Sequence, residues 1–168
     1  PRKELQSNLD FEYVSLDELY KNSDIISLHC PLNNDTKYIV NSNSISKMKD
    51  GAMIINTGRG KLINTIDLIE GLKSKKIGAA GLDVYEEEAD YFFEDHSTEI
   101  LDDDVLARLL TFNNVIVTSH QAFFTKEALS NIAETTLKSV SELESAKKLS
   151  YEIAYVCENG NCSPKDIK

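Results

Sequence analysis

Basic residues are scarce in this chain. Its 168 residues include 18 Lys and Arg against 28 Asp and Glu, a net charge of −10 with the histidines neutral. A surface of that sign repels phosphate backbones and anionic headgroups, which excludes nucleic acid and an anionic membrane as main partners. Long apolar runs are also lacking, the longest being only a handful of residues, so no stretch is long enough to span a bilayer as a helix. No secretory leader is visible. Cysteine is sparse, with only Cys30, Cys157 and Cys162. The C-x4-C spacing of the last two, with no further Cys or His beside it, is not a zinc pattern. Reduced thiols in a cytoplasmic protein are expected in preference to a disulfide in the tail. Internal repeats and low-complexity segments are missing too.

What is present points to a globular domain. Hydrophobic residues make up 41% and charged residues 27%, and the length suffices for a sizeable core. Short β-type apolar runs alternate with helical stretches. "FEYV" (11–14) reads as a short strand. "SLDELYKNSD" reads as a helix, with Ser15 as N-cap and Glu18 completing a capping box. Strands are expected at 24–30, 52–57, 77–84 and 114–120, and helices at 42–51, 64–76, within "DDVLARLLT", and at 125–148. In the 64–76 helix, Ile66, Leu68, Ile69 and Leu72 are expected on or near one face. The glycines of "IGAAGLDV" suit close approach by a neighbour.

Nearly continuous apolar strands alternating with helices mean an α/β fold with a parallel sheet and helices on both faces. Right-handed crossovers then gather the C-terminal strand ends on one edge, where ligands of such sheets bind. That edge receives Cys30-Pro31, Thr57-Gly58-Arg59, Asp83 with its acidic loop, and His120. Each has a plain alternative. Arg59 could cap a helix or pair with a surface acid, His120 could be a satisfied edge histidine, and Asp83 could be a turn residue. Glu86, Glu87 and Glu88 have the look of a solvated acidic run.

The segments "INTGRGKLI", "GLDVYEEE" and "TSHQAFFTKEAL" resemble the C-terminal part of the D-isomer-specific 2-hydroxyacid dehydrogenases. "FFED" and "HQAFFT" are similar to the fermentative D-lactate dehydrogenase branch, and the resemblance runs from about residue 11 to residue 146. It implies a Rossmann-like NAD-binding domain and interconversion of D-lactate and pyruvate. Arg59 would bind the substrate carboxylate through its planar fork. His120 would be the acid/base at the carbonyl oxygen. Glu88 would be the carboxylate paired with it, since a neighbouring anion favours an imidazolium, while Glu86 and Glu87 stay ordinary solvated acids. Asp83 would lie near the nicotinamide carboxamide. Cys30, Pro31 and Thr36 would flank the adenosine half, with Thr57, Gly58 and Arg59 continuing that wall. His29 is expected to be structural and His96 a surface residue. A homodimer in the cytoplasm follows from the same resemblance.

Two parts of such an enzyme are not found in the sequence. One is the G-x-G-x-x-G loop that cradles pyrophosphate, because Gly58-Arg59-Gly60 continues as Lys61-Leu62-Ile63. The other is a substrate domain to close over the nicotinamide. The chain also begins with Pro1 rather than Met. Residues 1–149 are therefore expected to be a partial dinucleotide-binding domain that lacks the first βαβ unit. Residues 150–168 are expected to be an extended tail returning towards the missing domain. The chain would be the C-terminal half or a truncated form, inactive alone, with NAD bound weakly. Tyr91, Phe92, Phe93, Phe123 and Phe124 could restrict a substrate pocket. The alternative is a non-catalytic dehydrogenase-like module for dimerisation or protein binding.

Overall fold

The computed structural model describes residues 11–93, 98, 100–145, 149–151, 155–158 and 161–164. His96 lies outside the described residues. The chain divides into two compact units, Pro1–Ala122 and Phe123–Lys168.

In the first unit, helix α1 (Leu16–Asn22) starts at the Ser15 cap, and the Ser15–Glu18 capping box forms in both directions. Strand β1 (Ile25–Leu28) follows. Helix α2 (Ser42–Lys47) is capped by Asn41, whose side chain accepts from the amides of Asn43 and Ser44. It ends sooner than the sequence suggests because Met48 is already extended. Gly51, at φ 80°, closes the turn that follows the helix.

Strand β2 (Ala52–Asn56), helix α3 (Thr65–Lys73) and strand β3 (Ile77–Leu82) come next, followed by helix α4 (Asp104–Leu110) and strand β4 (Val115–Val117). Asn64 caps α3, and Asp103 caps α4 by accepting from the amides of Val105 and Leu106. The four strands form one sheet in the order β1-β2-β3-β4, every pair parallel, with a helix in each connection. The expected parallel α/β architecture is therefore present. All C-terminal strand ends share one edge.

The core between sheet and helices holds Val40, Ile54, Leu62, Leu68, Ile77 and Leu109, each with no exposed surface. Burying each such side chain contributes about 1.5–3 kcal/mol. Ile66 departs from the expected face and is 62% exposed, while Leu68, Ile69 and Leu72 are buried. At about 100° per residue, Ile66 lies far round the helix from the direction its three neighbours share. Gly78 is needed for packing: a Cβ there would sit 2.4 Å from the Gly51 carbonyl oxygen.

"FEYV" is not a strand. Phe11, Tyr13 and Val14 are exposed, and the rings of Phe11 and Tyr13 meet edge to face at 5.1 Å. A strand exists only where a neighbour takes up its backbone bonds, and β1 is the outermost strand of the described sheet on that side.

In the second unit, helix α5 (Lys126–Glu144) is capped by Thr125 and buries none of its residues. Described residues beyond the helix contact its last turns. Ser150 donates its amide and hydroxyl to Glu142, and Lys138 lies 5.4 Å over the Tyr151 ring. Strands β5 (Tyr155–Glu158) and β6 (Asn161–Pro164) pair antiparallel, so the expected extended tail contains a hairpin. Among the described residues, no helix is long and apolar enough to cross a membrane.

Candidate active site

The turn after β2 is built from a buried amide. Asn56, with no exposed surface, ends the apolar run Ala52–Ile55. Its Oδ1 accepts from the Gly58 amide at 3.0 Å, and its Nδ2 donates to the Arg59 carbonyl at 2.9 Å. One side chain thus fixes both ends of the Thr57-Gly58-Arg59 segment. Arg59 is exposed, and its Nη1 donates to the Gly58 carbonyl at 2.8 Å. It lines an open cleft of about 640 Å³ together with His29, Cys30, Pro31, Leu32 and Gly58, at the C-terminal ends of β1 and β2.

Gly60 joins this turn to the acidic loop. A Cβ at Gly60 would lie 2.0 Å from the Tyr85 carbonyl oxygen and 2.6 Å from the Glu86 amide nitrogen. The Arg59 turn is therefore in backbone contact with the segment that carries Glu88.

Asp83, at the end of β3, organises the opposite side. It is 3% exposed. Its carboxylate accepts from the Thr118 hydroxyl and from the amides of Gln121 and Ala122, at 2.5, 2.7 and 2.8 Å. Its carbonyl accepts from the His120 amide at 2.5 Å. Burial alone would raise the Asp83 pKa, but the Thr118 hydroxyl, the two amides and the nearby His120 outweigh it and leave it lowered. The grip has a conformational consequence. Ser119 and His120 both adopt positive φ, 48° and 56°, which costs non-glycine residues free energy and persists only where surroundings enforce it. Asp83 supplies that enforcement.

His120 presented in this way meets Glu88: its Nδ1 lies 3.2 Å from Glu88 Oε1, while Glu88 Oε2 accepts from the Tyr85 amide at 3.1 Å. The pair is sheltered, with the side chains 33% and 18% exposed. The Phe93 ring lies 5.9 Å from the imidazole. Phe92 turns instead towards Tyr85, and with Tyr91 it lines a separate apolar hollow beside Leu101, Leu106 and Leu110.

The geometry thus joins His120 to Glu88 and sets the Arg59 turn against their loop. Cys30, Pro31, Gly58 and Arg59 share the cleft. Thr57 is exposed at the same strand end. The Thr36 hydroxyl donates to the Pro31 carbonyl at 2.6 Å, so it braces the loop. His29, exposed on the cleft, has its Nε2 2.8 Å from the Ser27 hydroxyl.

Glu86 is not the solvated acid that its run suggests. Its Oε2 accepts from the Tyr38 hydroxyl at 2.8 Å and its Oε1 from the Thr65 amide at 2.6 Å. It ties the Tyr38 loop and the start of α3 to the acidic loop. That bond, more than burial, raises the Tyr38 pKa. Glu87 is exposed and pairs with Lys61 at 3.4 Å. The sequence pattern does not mark Asn56 or Glu86 as functional. A polar residue closing an apolar strand was the one available signal for Asn56, and Glu86 offered none.

Comparison with known proteins identifies the family of the chain. Residues 1–122 match the family model described as D-isomer specific 2-hydroxyacid dehydrogenase, NAD binding domain. D-lactate dehydrogenase of Escherichia coli is 48% identical over 145 residues, covering 86% of this chain and 44% of that protein. An aromatic 2-oxoacid reductase of Clostridium sporogenes is 53% identical over 133 residues, covering 79% and 40% respectively. The structure of D-lactate dehydrogenase from Aquifex aeolicus, complexed with NAD and lactic acid, matches with a TM-score of 0.74 and 38% identity, over 87% of this chain and 44% of that one. The chain thus spans less than half the length of these relatives. With the family model covering the whole sheet and the strand-end residues, the chain belongs to the D-isomer-specific 2-hydroxyacid dehydrogenases, as part of their NAD-binding domain.

Proposed function

We propose that this chain supplies the catalytic strand ends of an NAD-dependent dehydrogenase that interconverts D-lactate and pyruvate. The observation that carries the reading is the His120–Glu88 pair at the ligand edge of the sheet, with the Arg59 turn packed against its loop. NADH, when bound, supplies the hydride.

The residues fit one side of that cofactor. The cleft between the β1 and β2 ends, walled by Cys30, Pro31 and Gly58, takes part of an extended dinucleotide, and Thr36 holds the wall in shape. Thr57 continues the wall, and Asp83 backs the nicotinamide side through the loop it clamps. No G-x-G-x-x-G cradle for the pyrophosphate occurs in the 168 residues. On this reading the 168 residues alone bind NAD weakly and turn over negligibly.

For the substrate, Arg59 leaves its bond to the Gly58 carbonyl and grips the carboxylate with two parallel N–H bonds. Its charge also polarises the neighbouring carbonyl. Nδ1 of His120 faces Glu88, so Nε2 is the nitrogen directed at the substrate. It gives a proton to the carbonyl oxygen as the carbonyl carbon is reduced, and takes it back in the reverse direction. Glu88 orients the ring and stabilises the charged imidazolium. Phe93, 5.9 Å from the ring, limits the substituent on the substrate.

A cytoplasmic homodimer belongs to the same proposal and rests on the family resemblance. Similarity to both a lactate and an aromatic 2-oxo acid enzyme makes substrate choice the point to measure. The second reading is a non-catalytic module; the joint presence of Arg59, Glu88 and His120 favours the enzyme. The test is NADH oxidation by the purified native gene product with pyruvate, glyoxylate, hydroxypyruvate and an aromatic 2-oxo acid, followed by chiral analysis of the product. D-lactate formed with pyruvate as the best substrate supports the proposal. Turnover with none of the four supports the module.

A further inference from the structure

The two C-terminal cysteines lie opposite each other across the hairpin: the β5–β6 register pairs Cys157 with Cys162, Glu158 with Asn161 and Tyr155 with Pro164. Only Asn159-Gly160 separates Glu158 from Asn161, the sequence favoured in two-residue hairpin loops. The pair flanking such a loop is the hydrogen-bonded one, because the turn's own bond closes there. Bonded and non-bonded pairs then alternate along the ladder. Cys157 and Cys162 fall on a non-bonded pair, and so do Tyr155 and Pro164.

Proline checks that parity independently. It has no N–H to give to a ladder and is tolerated only where none is needed. Pro164 occupies such a place only in this alternation. Non-bonded pairs bring opposing Cα atoms to about 4.5 Å, within the range of about 4.4–6.8 Å that a disulfide bridges. The spacing that argues against zinc therefore puts the two cysteines at paired register positions.

We propose that Cys157 and Cys162 are a covalent modification site, forming a reversible cross-strand disulfide by exchange with a small-molecule disulfide of the glutathione class. In the first step the thiolate of one cysteine attacks the small disulfide, forming a mixed disulfide and releasing one thiolate. The second cysteine, as thiolate, then attacks the protein sulfur of the mixed disulfide. The intramolecular bond forms, the second small thiol leaves, and each released thiolate takes up a proton. Two protein thiols are oxidised and one small disulfide is reduced to two thiols.

The experiment equilibrates the native gene product with graded ratios of reduced and oxidised glutathione, blocks remaining thiols with an alkylating agent, and maps tryptic peptides by mass. Both cysteines fall within one peptide, 149–165. The proposal expects this peptide to appear unalkylated and lighter by about 2 Da as the mixture becomes oxidising. Cys157→Ser should abolish that species. Moving one thiol to the other face with Cys162→Ser plus Ser163→Cys should lower the ratio of disulfide to dithiol by about tenfold or more. The proposal is overturned if both cysteines remain alkylated, if each carries glutathione without closing on the other, or if the displaced thiol closes equally well.

Discussion

Nδ1 of His120 lies 3.2 Å from Oε1 of Glu88, although 32 residues separate them in the chain. That contact depends on a second one, the His120 amide donating to the Asp83 carbonyl, which holds the histidine in its left-handed conformation. The acid/base of the proposed reaction is therefore placed by the end of one strand and oriented by the loop that follows it.

Asp83→Asn tests the clamp. The carboxylate accepts three bonds. An amide in its place turns a donor towards one of those donors, at a cost of about 1–3 kcal/mol. The sign of the pH effect follows from the lowered pKa of Asp83. Its stabilisation is complete above the ordinary carboxylate range and fades as pH falls through the lower folded-state value. Urea unfolding of both proteins should show a difference at neutral pH that shrinks at acid pH. A constant difference would assign Asp83 no titrating role.

Arg59→Lys should lower kcat/KM by about a hundredfold, because a point charge cannot reproduce a bidentate fork. Thermal stability should hardly change, since Arg59 is exposed. Steady-state kinetics with the preferred 2-oxo acid, beside a melting curve, separates the two effects. Undiminished kcat/KM would remove Arg59 from carboxylate binding.

Gly60→Ala forces a methyl group onto the Tyr85 carbonyl, with only 2.0 Å available. The backbone must separate there, at a cost of about 1–3 kcal/mol. The Arg59 turn then moves away from the Glu88 loop, so kcat/KM should fall together with Tm. Retention of both would mean that this contact does not set the site.

Glu86→Ala deletes the acceptor for both the Tyr38 hydroxyl and the Thr65 amide. A loss of about 1–3 kcal/mol is expected from the stranded donors. Tyr38→Phe should cost less, because the Thr65 bond survives. Melting curves of the two variants give the order, and the reverse order would contradict the bridging role.

Much of the fold is legible locally. The caps at Ser15, Asn64 and Thr125 act within three residues of their own positions, and buried parallel strands announce themselves as apolar runs. "FEYV" misleads because strand-forming composition says nothing about whether a partner strand lies alongside. Glu88 and Glu86 sit two residues apart in one acidic run, and each has its main partners far away in the chain. Family resemblance separates Glu88 from its neighbours, whereas the role of Glu86 emerges only when Tyr38 and Thr65 are folded against it. Asn56 is hidden for a related reason: its work is to hold a turn, and a turn held by a side chain leaves no periodicity to read.

The most direct test is a double-mutant cycle on the native gene product, measuring kcat for 2-oxo acid reduction in Glu88→Gln, His120→Asn and the two combined. If Glu88 acts through His120, the double variant should be no slower than His120→Asn alone, so that the losses fail to add. Losses that multiply independently would contradict the pairing on which the proposed chemistry rests.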